Sequence, residues 1–311
     1  DGDESTAELT ITITGADDSA NVVTAAATGP DNTVYEAGLD PHGSDAASDS
    51  ETATGSFTVS ATDGIATVVI GGTTFTLAEV KAFDGTQTVN TGEGILTLTG
   101  YSGTDFAGTI SYSYTLSATI DNDSHTGATG TEFDDVIDLT VNGVGGTTAG
   151  DDLIIRIVDD VPTAVDDGPE GVTEDGVSSI SGNVLDNDAS GADTPAAFVS
   201  WDLAGDAAEI AELNTYGTLT QNNDGTWSFV LDNARPATQA LTSSDSLSYT
   251  LSYTMKDADG DESTAELTIT ITGADDGATV TTAEANGPDN TVYEAGLDPH
   301  GSDAASDSET A

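Results

Sequence analysis

The stretch Ser246-Leu-Ser-Tyr-Thr-Leu-Ser-Tyr253 alternates hydroxyl-bearing residues with leucine and tyrosine. Period two places Leu247, Tyr249, Leu251 and Tyr253 on one face of an extended chain, the pattern of a half-buried β-strand. The same alternation recurs in Ala7–Thr14 (AELTITIT), Thr67–Thr76 (TVVIGGTTFT) and Ile110–Leu116 (ISYSYTL). Only Leu77–Phe83 and Ala207–Leu213 suit a helical turn or two, and turn signals such as Asn223-Asp-Gly225 separate the strands. Many short strands with Gly, Asn and Asp turns predict an all-β chain of sandwiches or barrels. A sandwich suits a linear array better, because its termini can lie at opposite ends.

Residues 1–53 return as residues 259–311, an offset of 258, with five differences: Ser19/Gly277, Asn21/Thr279, Val23/Thr281, Ala26/Glu284 and Thr28/Asn286. Such identity defines a repeating unit of 258 residues. Within one period, Asp-Asp pairs follow alternating strands at Gly15-Ala-Asp-Asp18, Val158-Asp-Asp-Val-Pro162 and Gly273-Ala-Asp-Asp276. This punctuation predicts two β-sandwich modules in each period, arranged in tandem. Residues 1–18 read as the last strand of a preceding truncated module and 19–161 as module A. Residues 162–276 read as module B and 277–311 as the opening of the next copy of A. The chain reads as a fragment of something longer, incomplete at both ends, and strand exchange between such fragments is a further expectation.

Four basic residues, Lys81, Arg156, Arg235 and Lys256, stand against 56 acidic ones, a formal charge of -52. Phosphate binding needs clustered Lys and Arg, so nucleic acid and anionic membrane surfaces are poor partners. Nothing resembles a membrane-inserting span or a signal peptide, and the absence of cysteine removes disulfides and thiolate metal sites. Acidic composition with few aromatics raises disorder, but the strand periodicity argues against it. So many carboxylates call for a cation.

The clearest cation site is Asp257-Ala-Asp259-Gly-Asp261, between two strands. Carboxylates at alternate positions around a turn-forming Gly can converge oxygen ligands on one hard ion. It is not an EF-hand: the sixth and twelfth positions are Glu262 and Thr268. A solvated polar turn is the plain alternative. Asp186-Asn-Asp188 with Asp193 forms another acidic turn, and Asp121-Asn-Asp123 a corresponding one in module A. Between modules, Asp159, Asp160, Asp166, Asp167, Glu170, Glu174 and Asp175 crowd one linker. The start of module A offers Asp17, Asp18, Asp31 and Glu36, and its copy offers Asp275, Asp276, Asp289 and Glu294. Oxygen-only ligands favour calcium, several ions per repeat, over zinc or copper.

No nucleophile elbow, phosphate loop, dinucleotide fingerprint or zinc-protease motif occurs, so no catalytic residue is expected. His42, His300 and His125 sit among Gly, Ser and Asp in loops. Trp201 and Trp227 could line a glycan platform, although Trp227 lies in an alternating strand and reads as core. Gly145–Leu153 faintly resembles a calcium β-roll repeat and reads as a loop; Asn122–Asp152 is irregular, leaving Asp134, Asp135, Asp151 and Asp152 without clear roles.

At these motifs the chain resembles extender regions of giant RTX-type bacterial adhesins exported by type I secretion. Module B, with Gly182-Asn-Val-Leu-Asp-Asn-Asp188, Tyr216-Gly-Thr-Leu-Thr220, Asn223-Asp-Gly-Thr-Trp-Ser-Phe229 and Lys256-Asp-Ala-Asp-Gly-Asp261, is similar to VCBS and cadherin-like repeats. Module A, with Gly55-Ser-Phe-Thr-Val59, Ile70–Leu77, Gly92-Glu-Gly94 and Leu96–Tyr101, resembles a companion repeat. The resemblance implies Ig-like sandwiches, calcium at linkers, export unfolded and folding outside the cell. It implies a calcium-stiffened extracellular spacer that projects an adhesive tip for surface attachment or biofilm formation. The alternative is a glycan- or surface-binding module acting by avidity across copies.

Overall fold

The computed structural model describes residues 1–13, 18–25, 29–121, 124–278, 280–282, 292, 299–300 and 302. The chain is almost wholly β, as expected. In order, its strands are β1 (Ala20–Val23), β2 (Thr33–Tyr35), β3 (Thr52–Ala61), β4 (Ile65–Ile70), β5 (Thr73–Thr76), β6 (Gln87–Asn90), β7 (Gly94–Gly103), β8 (Ala107–Leu116), β9 (Glu132–Gly143) and β10 (Thr148–Val158). There follow β11 (Asp167–Thr173), β12 (Ser179–Asn183), β13 (Ala197–Trp201), β14 (Gly217–Gln221), β15 (Thr226–Leu231), β16 (Ser246–Lys256) and β17 (Glu262–Thr272). Among the described residues two α-helices interrupt them, α1 (Leu77–Val80) and α2 (Ala207–Tyr216).

Two five-stranded sheets, ordered β1-β3-β8-β7-β6 and β2-β10-β9-β4-β5, face each other across a core of Phe57, Leu96, Ile110 and Tyr112 from one and Val68, Leu139, Leu153 and Ile155 from the other. A second sandwich sets β11-β17-β16-β13 against β12-β15-β14 around Trp227, Phe229, Leu251, Leu267 and Ile269. Alternate residues of β16 and β17 are the buried ones, as period two requires.

Three local readings change. Thr67–Thr76 is a hairpin rather than one strand: Gly71 and Gly72, at φ 53° and 78°, form its two-residue turn. Gly145–Leu153 is no loop, because Thr148–Leu153 opens β10, and β9 with the start of β10 fills just over half of the stretch that reads as irregular. The pattern of β9 is blurred by Asp135, which points inward and is satisfied by the Tyr114 hydroxyl at 2.7 Å and Thr91 Oγ1 at 2.6 Å.

Residues 7–13 form no strand, with Leu9, Ile11 and Ile13 at 84%, 75% and 90% exposure. The identical sequence at 265–271 is a buried central strand, because β16 and β11 flank it there. Strand propensity needs partners to act on.

Both sandwiches open alike. An early strand pairs parallel to the last strand, β2 with β10 and β11 with β17. Each is followed by a buried glutamate, Glu36 or Glu174.

Candidate metal centre

The register Tyr35↔Val158 carries β2 and β10 out of the first sandwich side by side, so Glu36 and Asp159 emerge together. Loops of the second sandwich meet them. Asp257 Oδ1 accepts the N–H groups of Gly260 at 3.0 Å and Asp261 at 2.9 Å, which folds the 257–261 turn around Gly260 at φ 123°. Ala258 N–H donates to the Asp193 carbonyl at 3.1 Å, docking the 193 loop beside it.

Carboxylate oxygens of Glu36, Asp159 and Asp193 lie within 4.8 Å of one another, and so do those of Asp159, Asp259 and Asp261. Asp159 belongs to both groups. Glu36 Oε1 accepts the buried Ile120 N–H at 2.8 Å. Eight carboxylate oxygens here are shielded from solvent with no hydrogen-bond partner: Glu36 Oε2, both of Asp159 and Asp259, and Oδ2 of Asp193, Asp257 and Asp261.

Burial drives the electrostatics. It pushes Glu36 up to about 9, with Asp193 and Asp159 adding repulsion. Asp159 rises to about 8 through burial, with Asp261 and Asp259 against it, and Asp257 to about 7 through burial and Asp259. Asp193 is raised by burial and by Asp259 and Asp160. Two like charges at 4 Å repel by about 4 kcal/mol at an effective dielectric of about 20. Buried acceptors without donors add a desolvation cost.

A divalent cation resolves both. Calcium ligands sit at about 2.3–2.6 Å, so oxygens sharing one ion lie up to about 5 Å apart, and calcium accepts six to eight oxygens. The residues fit the group by spacing, oxygen chemistry and orphaned atoms. Glu51, which the sequence gives no reason to choose among its acidic neighbours, adds another buried unpartnered oxygen against Gly38.

Asp160, one residue on, is satisfied differently. Its carboxylate accepts Ser44 N–H at 2.7 Å, the Ser44 hydroxyl, and Ala192 N–H at 2.9 Å, so it pins loops of both sandwiches. Gly191, at φ 72°, passes so close that a Cβ would meet the Asp160 carbonyl at 2.1 Å.

The acids of 159–175 do not form one linker. β11 is extended between them, and seven residues at about 3.3 Å each separate its ends by about 23 Å. Asp159 and Asp160 lie at the joint; Asp166 and Asp167 lie at one end of β11, Glu174 and Asp175 at the other. Asp186-Asn-Asp188 and Asp193 also part company. Asp188 joins Asp167 around the buried Tyr253 hydroxyl, which contacts Asp188 Oδ1 at 3.0 Å and the Val165 and Val184 carbonyls at 3.1 and 3.2 Å. Burial raises Asp167 to about 6, with Asp188, Asp186 and Asp166 also raising it, while the Tyr253 hydroxyl lowers it. Asp166 accepts Glu266 N–H at 3.0 Å.

The remaining candidates are dispersed. Asp121 caps its own turn through Ser124 N–H at 2.8 Å, Asp18 accepts from Thr62 at 3.3 Å, and Asp276 is exposed. Asp134 meets Arg156, and Asp151 meets Thr24. Asp17, Asp123 and Glu294 lie outside the described residues. Trp201 and Trp227 are core residues, not a sugar platform: the Trp201 indole N–H donates to the Asn222 carbonyl at 3.0 Å.

Residues 159–273 match the family model of the bacterial cadherin-like domain, a likeness that supports a cadherin-like, Ig-type repeat over this part of the chain. Domains of this kind are extracellular, structural, adhesion-type modules, and they generally bind calcium. No curated protein matches the chain. Among solved structures, the Protocadherin GammaB4 extracellular domain aligns at 12% identity and TM-score 0.28, over 82% of this chain and 34% of that one. Mouse clustered PcdhgC3 EC1-3 aligns at 14% and 0.26, over 84% and 69%. Zebrafish RET cadherin-like domains 1 to 4 align at 14% and 0.20, over 83% and 51%. The chain thus spans about a third of the length of the first of these.

Proposed function

We propose that the chain is a calcium-stiffened spacer of an extracellular adhesion protein, built from modules at about 19–161 and 162–276 that meet at the Glu36–Asp159–Asp261 centre. The observation that carries this reading is the set of eight buried, partnerless carboxylate oxygens drawn from both sandwiches. Glu36, Asp159, Asp193, Asp257, Asp259 and Asp261 would hold the ions, with Asp159 common to both groups. A cation there cancels the repulsion and ties the first sandwich to the second. It binds the ordered joint and not the disordered one, so it stabilises order by mass action. Asp166, Asp167, Asp186 and Asp188 are a second candidate cluster.

The resemblance to adhesin extender repeats supports placing the spacer beneath an adhesive tip on a bacterial surface. Export by a type I system fits the same chemistry: without calcium the acidic joint repels itself, and outside the cell calcium closes it. Equilibrium calcium binding to the full chain tests the reading. At least one ion bound at this joint, lost in Asp159→Asn, supports it; no bound calcium at millimolar concentration overturns it.

A further inference from the structure

The repeat contains two kinds of joint, and they are not chemically alike. The segments Val34-Tyr-Glu36-Ala-Gly38 and Val172-Thr-Glu174-Asp-Gly176 share the pattern V-x-E-x-G. Both follow a strand paired parallel to the last strand of their sandwich, and Glu36 and Glu174 are 0% and 2% exposed. They hold the same place in their modules. Their carboxylates meet opposite surroundings.

Glu36 has an oxygen without a donor and faces two aspartates. Glu174 has donors for both oxygens: Gln239 Nε2 donates to Oε1 at 3.3 Å and Ala274 N–H to Oε2 at 3.0 Å. The sequence explains the difference. After β10 the chain continues Asp159-Asp160, placing a carboxylate beside the glutamate. After β17 it continues Gly273-Ala274-Asp275-Asp276, and two inserted residues deliver a backbone N–H there instead. Asp275 then accepts Ser243 N–H at 3.0 Å and the Ser243 hydroxyl at 2.8 Å, and Asp175 accepts Asn233 Nδ2 at 2.8 Å.

The end of module A that a preceding module B would meet is likewise supplied with donors. Asp63 accepts Gly145 N–H and the Thr147 hydroxyl, and Asp105 pairs with Lys81. Among the described residues, neither this end nor the Glu174 end has a buried carboxylate oxygen without a partner.

We infer that the joints alternate: the joint after module A is locked by a cation, and the joint after module B is held by hydrogen bonds and takes none. The array then carries one cation-locked and one cation-independent joint in every 258 residues. Chelation would free every second joint and leave the others as they are. This inference rests on the calcium reading of the first joint and goes further, because it assigns calcium to one joint and denies it to the other.

The test is limited proteolysis of the full chain in millimolar calcium and in excess chelator, paired with calcium isotherms of Glu36→Gln, Glu174→Gln and Asp275→Asn. Calcium should protect the 159–166 segment and leave cleavage at 273–278 unchanged. Glu36→Gln should weaken calcium binding by about tenfold or more, the scale at which even outer-shell partners act. Glu174→Gln and Asp275→Asn should leave the isotherm unchanged; Asp275→Asn, on an exposed residue, keeps the test open if Glu174→Gln fails to fold. Calcium protection at 273–278, or ions lost in either variant, overturns the alternation while leaving the spacer reading intact. An absence of calcium binding altogether overturns both.

Discussion

Asp159 and Asp261 come from different sandwiches, yet their carboxylate oxygens lie within 4.8 Å of each other. Neither Asp159 oxygen has a hydrogen-bond donor, and Asp159 is also one corner of the group that contains Glu36 and Asp193. The last residue of one core and the loop of the next are therefore joined by a charge conflict, and each prediction below follows from how that conflict is relieved.

Asp159→Asn should change sign with calcium. In chelator, loss of one charge relieves repulsion, so the variant should melt higher than wild type, by the equivalent of about 1–3 kcal/mol. In calcium the order should reverse, because both ligand groups lose their common member. Paired melting curves of the two proteins read this directly.

The metal-free protein should lose stability as pH rises. Glu36, Asp159 and Asp257 titrate at about 9, 8 and 7 when folded, against about 4 when unfolded. The folded chain binds these protons more tightly, so stability is highest below about pH 4 for these groups and falls progressively up to pH 9. Calcium binds only the deprotonated form, so the stabilisation that calcium adds over chelator should grow with pH across the same window. Chelator melts that are flat from pH 5 to 9 would count against the burial of these groups.

Asp160→Ala should loosen the joint with or without calcium, because its three contacts are to Ser44 and Ala192. The buried donors left behind make a cost of about 1–3 kcal/mol the expected scale. Equal loss of melting temperature in calcium and chelator would separate this pin from the cation ligands.

Tyr253→Phe removes the one hydroxyl proton shared among Asp188 and two carbonyls. The hydroxyl also holds Asp167 and Asp188 lower than burial would. The variant should cost about 1–2 kcal/mol near neutral pH and less at pH 5, where Asp167 is protonated. Denaturant melts at the two pH values measure the difference.

The strands were legible because period two survives in Ser246–Tyr253 and Leu267–Thr272, where every core position is apolar. β9 was not, because Asp135 occupies a core-facing position and is satisfied by a tyrosine on another strand, a contact that no local window contains. The acidic residue types and Asp257, Asp259 and Asp261 were legible from spacing. Their grouping was not: Asp193 sits beside Glu36, 157 positions away in sequence, through the docking of two loops. Proximity along the chain misled most at 159–175, where an extended strand carries neighbouring acids to opposite ends of a sandwich. Glu36 and Glu174 look equivalent in their V-x-E-x-G segments; their different hydrogen-bond donors follow from what succeeds the last strand of each sandwich.

The most direct test of the central claim is small-angle scattering of the full chain in millimolar calcium and in excess chelator, with Asp159→Asn alongside. The account predicts a longer, stiffer particle in calcium that shortens on chelation, and a variant that stays short in both. Identical profiles in calcium and chelator for the wild-type chain would contradict it.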